Sequence, residues 1–155
     1  MKRALFLLLV CACGPSEQLS FDFKLDALLK DVEEIQISIV KSGKALDCLK
    51  VQSACLVDQV DAARFVRVQA SDGVDRPAIR FPLANARDVT INGIPVGRDY
   101  ALVIEALSKD KPPKLAGSSC DYLAEIAPGM NPRKLAIPIK AFATLVACDP
   151  RVEKN

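Results

Sequence analysis

From Ser20 onward apolar and polar residues alternate with a period of two, the signature of strands that turn one face toward a core. Phe21, Phe23 and Leu25 alternate with Asp22, Lys24 and Asp26, and Ile35, Ile37 and Ile39 alternate with Glu34, Gln36 and Ser38. Val66, Val68 and Ala70 alternate with Phe65, Arg67 and Gln69; Tyr100, Leu102, Ile104 and Ala106 alternate with Ala101, Val103 and Glu105. Tyr122, Ala124 and Ile126, then Leu135, Ile137 and Ile139, continue the pattern. β-branched residues are abundant in several of these runs, as strands prefer. Turn signals separate them: Ser42-Gly43, Asp72-Gly73, Asn92-Gly93, Pro112-Pro113 and Pro128-Gly129. Asn-Gly is the strongest short hairpin signal, because the tight turn needs positive φ at both central residues. Pro95 disfavours a long central strand after it. Residues 92–98 therefore read as a connection, and the next strand starts near Asp99. Residues 26–34 allow a short helical turn with Leu28, Leu29 and Val32 on one face, and residues 46–61 allow a loop or a short helix. The whole predicts an all-β fold, a single antiparallel β-sandwich of about seven or eight strands over residues 20–148, with a tail at 149–155.

The first residues follow a different rule. Lys2 and Arg3 precede the apolar run Ala4–Val10, which is far shorter than the roughly 20 residues needed to span a bilayer. A basic start, a short apolar run and small residues at a cut site make a secretory signal peptide. Val10-Cys11-Ala12-Cys13 resembles the lipobox of bacterial lipoproteins, with Cys13 at the acylated position and Gly14-Pro15-Ser16 after it. The resemblance implies cleavage of residues 1–12, a thioether-linked diacylglycerol on Cys13, and a tether over residues 13–19. It places the protein in a bacterial cell envelope, anchored in a membrane through lipid, with Gly14 favouring the outer membrane. An ordinary signal peptide cut near Ala12 is the alternative reading.

A second resemblance lies further along. Ile94-Pro95-Val96-Gly97 leading into the Tyr100-bearing strand is similar to a segment of the carboxypeptidase regulatory-like, transthyretin-like domains. Here two residues separate Gly97 from Tyr100, where one is commoner in the family. The resemblance covers residues 94–106 and implies a small extracytoplasmic Greek-key sandwich. Gly97 would permit a turn that a side chain would block, and Tyr100 would plant its ring between the sheets with its hydroxyl near the wet edge. An immunoglobulin-like topology is the alternative. Neither family brings catalytic residues.

Composition narrows the function. The chain has 155 residues, 21 Lys+Arg against 19 Asp+Glu, and no His. Near-balanced charge gives no footprint for nucleic acid, and the missing histidine removes His-based triads, His metal sites and His pH switches. Four cysteines remain beyond the signal and the lipobox: Cys48, Cys55, Cys120 and Cys148. An even set in an exported chain reads as two disulfides. Three pairings are open, and Cys48–Cys55 with Cys120–Cys148 is the preferred one. A four-cysteine zinc site would call for close pairs such as C-x2-C, which are absent.

No catalytic set emerges, and neither cofactor nor metal is expected. Glu33 and Glu34 would face opposite sides of a strand. Asp72-Gly73-Val74-Asp75 reads as a plain turn rather than a calcium loop, and Gly117-Ser118-Ser119-Cys120 as a strand start rather than a nucleophile. Arg64, Arg67, Arg76, Arg80 and Arg87 could line one anion-binding face, with a mixed-charge surface as the default. The expected function is a non-catalytic structural or interaction module with an envelope protein as partner. The alternative is a small-ligand or glycan binder with a pocket near residues 92–98 or 109–114.

Overall fold

The computed structural model describes residues 16–25, 31–86, 89–129 and 133–153, with backbone alone at 21–25 and 133–137. The signal peptide, Cys11, Cys13, most of the helical turn expected at 26–34, Arg87 and Asp88 lie outside the described residues.

The fold is an all-β sandwich. Its strands are β1 (Ser16–Leu25), β2 (Val32–Lys41), β3 (Val68–Gln69), β4 (Asp75–Arg76), β5 (Ile79–Pro82), β6 (Val89–Pro95), β7 (Gly97–Ser108), β8 (Leu115–Ile126) and β9 (Arg133–Val146). One sheet has the order β4-β3-β6-β1-β9, the other β8-β7-β2-β5, and β9 links them. Every pairing is antiparallel except β1 with β9, which run parallel from Leu19↔Arg133 to Leu25↔Ile139. After Ile139 the strand crosses to the other sheet, where Lys140 and Ala141 pair with Ser118 and Gly117. Pro138 sits at the end of the first stretch; having no N–H, it is tolerated where a ladder ends. β8 and β9 are thus antiparallel neighbours only near the start of β8, from Leu115↔Val146 to Ser118↔Lys140, while the Ile126 end of β8 lies opposite Gly97 of β7.

The alternating residues meet between the sheets. Ile35, Ile37 and Ile39 of β2, Leu102 and Ile104 of β7, and Ile91 and Ile94 of β6 are all within this core. Ile91 and Ile94 are three apart, so in a regular strand they would face opposite ways. Asn92-Gly93 resolves this, and not as the start of the expected connection over 92–98: it lies inside β6, and β7 begins at Gly97 rather than near Asp99. Gly93 adopts φ 74° inside β6, and the register with β1 slips there, between Glu17↔Ile94 and Leu19↔Ile91. The extra residue is a β-bulge, which returns both isoleucines to the core. The chain then changes sheets at Val96.

Two expectations shift at the ends. β1 begins at Ser16, so residues 16–19 are strand rather than tether. Pro150 is buried and Arg151 and Val152 half-buried, so the first part of the tail is packed rather than free.

Tyr100 is buried, and its hydroxyl donates to the Pro95 carbonyl at 3.2 Å. Gly97 is required for space: a Cβ there would lie 2.6 Å from the Tyr100 Oη. As expected, a side chain would be blocked here, and Gly97 is not among the glycines with positive φ, so the demand is for space. Gly97→Ala should displace the hydroxyl and cost about 1–2 kcal/mol, read as a lowered melting temperature. Pairing it with Tyr100→Phe should recover part of the loss.

Candidate functional site

β2 and β7 are buried on both faces. Every position of Ile35–Val40 and Tyr100–Leu107 is buried, including the polar Gln36, Ser38 and Glu105 of the outward phase. The outer face of that sheet is therefore covered. Residues 42–67 form the cover, as a chain of short turns and one four-residue helix, α1 (Cys48–Val51). Asp47 caps α1, accepting from the Leu49 and Lys50 amides at 3.1 and 3.3 Å. Val51, Leu56, Val60 and Phe65 from the cover pack on Val40 and Val103 from the sheet.

Ser38 lies in the same outward phase, and its Oγ is buried with no hydrogen-bond partner. Ser38→Ala should raise stability by about 1 kcal/mol by removing an unsatisfied hydroxyl; denaturant unfolding would measure it.

Two disulfides fasten this layer: Cys48–Cys120 and Cys55–Cys148, with Cα–Cα distances of 5.5 and 6.1 Å. The preferred pairing of Cys48 with Cys55 and Cys120 with Cys148 is thus corrected. Cys120 sits opposite Val103, in the phase that faces the cover. It meets α1 there rather than the C-terminal segment. Cys55 is fully buried and reaches the tail instead. The sulfurs of Cys55 and Cys148 also lie near the Asp58 carboxylate, but bonded to each other they offer no thiolate to a metal.

Between cover and sheet sits Glu105, which sequence reasoning passed over. It is 1% exposed. Its Oε1 accepts from the Leu56 amide at 2.9 Å, and its Oε2 from Gln36 Nε2 at 2.9 Å. Gln36 also donates to the Pro150 carbonyl at 2.7 Å and accepts from the Val152 amide at 3.2 Å. One carboxyl and one amide thus join β7, β2, the cover and the tail. Burial pushes the Glu105 carboxyl up to about 7, opposed by its two donors and reinforced by the Asp58 charge. The available signal was a lone acid inside the apolar run Ala101–Leu107.

The open surface lies around the tail and the β7–β8 loop. A cleft of about 350 Å³ runs over β5, lined by Glu34, Asp72, Arg76, Arg80 and Glu153 among others. A wider one of about 530 Å³ shares Glu34 and Arg80 and continues to Ser108, Lys111, Pro112, Pro113 and Arg151. A third, of about 330 Å³, lies against Pro112, Pro113, Lys114, Ala147 and Cys148. The expected pocket region at 109–114 therefore carries concave surface. Residues 92–98 instead form the bulge and the corner between the sheets.

The arginines are spread over several internal tasks. Arg64 clamps the Lys41 and Ser42 carbonyls at 2.9–3.2 Å. Arg76 pairs with Asp72 at 2.8 Å, and that hydrogen bond holds Asp72 below the usual carboxylate range. Arg67 donates to the Asp75 carbonyl at 2.7 Å, and Arg80 to the Glu153 carbonyl at 3.3 Å. Arg76 and Arg80 line the first cleft together with Glu34, Asp72 and Glu153, giving mixed charge rather than an anion-binding face. Asp72 also accepts from the Val74 amide at 3.0 Å, as a plain turn requires. Glu33 and Glu34, expected on opposite sides of a strand, both line the second cleft, where the pairing of β2 with β7 slips between Val32 and Glu34, and Ser118 points its hydroxyl at the Val51 carbonyl at 3.4 Å. Comparison of the chain with protein-family models, with characterised proteins and with solved structures finds no match.

Proposed function

We propose that this chain is a lipid-anchored, non-catalytic interaction module of a bacterial envelope, held by Cys13 and presenting the Pro112–Pro113 end to a partner protein. One observation carries the reading. The chain enters the sandwich at Ser16 beside Pro95, at the Gly97 end of β7, while the clefts flanking Pro112 lie at its Ser108 end. The start of the described chain and the concave surface thus lie at opposite ends. Two disulfides in a small domain fit an oxidising compartment. The pairing of cleft charges with each other, Asp110 with Lys114 and Asp149 with Arg151, fits a recognition surface better than a reacting centre.

The test is cross-linking of the tagged protein in intact cells, beside a Cys13→Ala version, with mass spectrometry of what co-purifies. A dominant envelope protein cross-linked through Lys109 or Lys111 and lost with Cys13→Ala is expected. Identical partners, or none, in both versions would overturn the reading. A second reading, a small-ligand or glycan binder, is favoured by the size of the cleft at Pro112–Pro113. Binding to a glycan array, abolished by Lys111→Glu, would select it.

A further inference from the structure

Cys55 and Cys148 are joined, and a third group of metal-ligand type stands beside them. One oxygen of the Asp58 carboxylate and the two sulfurs all lie within 4.8 Å of one another. Cys55-Leu56-Val57-Asp58 supplies a close pair that the cysteine spacings alone lack, a C-x2-D step. The Asp58 amide donates to the Cys55 carbonyl at 3.1 Å and winds this step into a single 3-10 turn. The third group comes from the far end of the chain, where the Cys148 amide donates to the Val146 carbonyl at 2.9 Å. Cys55 is fully buried, Cys148 half-buried and Asp58 exposed, so the set opens to solvent on its Asp58 side. A cleft of about 230 Å³ reaches Asp58 there, lined also by Val57, Asp61 and Arg64.

We propose that Cys55, Cys148 and Asp58 form a redox-gated site for a thiolate-seeking divalent cation, zinc above all, which takes the place of the disulfide when the bridge is reduced. Opening the bridge consumes two electrons and two protons. A dithiol supplies both and is itself oxidised to a disulfide; it attacks at Cys148, the more accessible sulfur. The cation then binds as the two thiols lose their protons: two S–H bonds break and two metal–sulfur bonds form. Two thiolates and a carboxylate held face to face repel one another, and a divalent cation offsets that repulsion. Thiolates select zinc over magnesium and calcium, which take oxygen ligands. Zinc holds sulfur at about 2.3 Å and carboxylate oxygen at about 2.0–2.2 Å, so its tetrahedral ligands stand roughly 3–4 Å apart. The freed sulfurs need only part to that spacing, with the Asp58 oxygen already within 4.8 Å of both. Water completes the tetrahedron, as in zinc sites with three protein ligands. The clasp between cover and tail thus has two forms, covalent when oxidised and metal-held when reduced.

The test uses the full chain with Cys11→Ser and Cys13→Ser, which removes the thiols of the leading segment. It is reduced with a phosphine under argon and titrated with Co²⁺, whose spectrum reports its ligands. The expected result is one Co²⁺ per reduced chain, with a thiolate-to-cobalt charge-transfer band that Zn²⁺ abolishes, and no binding by the unreduced chain. Asp58→Asn should weaken Co²⁺ binding at least about tenfold, the loss that even an outer partner of a metal ligand brings. Zn²⁺ should also protect the Leu56 and Val152 amides of the reduced chain from hydrogen exchange, which a metal held by an unfolded chain would not do. Absence of the band, a band and affinity unchanged by Asp58→Asn, or equal binding by the unreduced chain would overturn the site. So would Leu56 and Val152 amides that stay unprotected in the reduced chain with zinc bound.

Discussion

Loss of the Cys55–Cys148 bridge is expected to lower stability by about 4 kcal/mol and to release the cover from the sandwich. The two bridges interlock in sequence: residue 55 lies inside the 48–120 ring and residue 148 outside it. With Cys48–Cys120 closed, the second bridge closes a ring through 48–55 and 120–148 rather than its full span, so the two contributions are not independent. Their positions also differ. Cys48–Cys120 fastens the beginning of the cover to β8, whereas Cys55–Cys148 fastens its middle to the tail beside Gln36. Cys55→Ala with Cys148→Ala should therefore deprotect the amides of Leu56–Phe65 and Arg151–Glu153 in hydrogen exchange, while Ile37 and Ile104 in the inter-sheet core stay protected. Equal protection throughout would mean that the cover is held by packing alone. The pairing itself can be read directly, because trypsin separates the four cysteines. Without reductant, peptide 45–50 should be joined to 115–133, and peptide 51–64 to 141–151. A peptide pair 45–50 with 51–64 would contradict the fold.

What could be read from the sequence was what depends on near neighbours. The period-two runs of Ile35–Ile39 and Tyr100–Ala106 marked β2 and β7, and Asp72-Gly73 and Pro112-Pro113 marked turns, because each pattern acts over a few residues. The count of four cysteines indicated two bridges, but their partners depended on which face of β8 carries Cys120, and that is fixed by register with β7. Asn92-Gly93 misled for a physical reason: positive φ serves a bulge as well as a hairpin turn, and only the burial of both Ile91 and Ile94 distinguishes them. The parallel pairing of β1 with β9 joins segments more than a hundred residues apart, and nothing local encodes it. At the candidate site, the 109–114 loop was legible as concave surface, whereas the arginines could not be apportioned among Asp72, Asp75, Ser42 and Glu153 without the fold. The cover over β2 and β7 was encoded in the second apolar phase, Val40, Ala101 and Val103. That phase also explains why the one acid within it, Glu105, is buried.

Glu105 should make the cover sensitive to pH. Its carboxyl titrates near 7 in the folded protein against an ordinary value of 4.5. The folded state therefore holds this proton more tightly than the unfolded state does. The resulting stabilisation is fully present below about 4.5 and is lost as pH rises through about 7. The span corresponds to about 3 kcal/mol. Other carboxylates also titrate over part of this range, so the measurement is the difference between the natural chain and Glu105→Gln. At low pH the glutamine variant should be the less stable, because its amide would present a donor where Gln36 Nε2 already donates, and Gln36 is committed to Pro150 and Val152. Above pH 8 that deficit should vanish or reverse, since the variant carries no buried charge beside Asp58. Urea unfolding of both proteins at pH 4.5, 7 and 8.5 would give the difference directly. A constant difference across the three values would show that the Leu56 and Gln36 donors suffice to hold Glu105 ionised throughout. The tail should respond with it: because Gln36 joins Glu105 to Pro150 and Val152, ionisation at Glu105 should raise hydrogen exchange at Val152 before it affects the inter-sheet core.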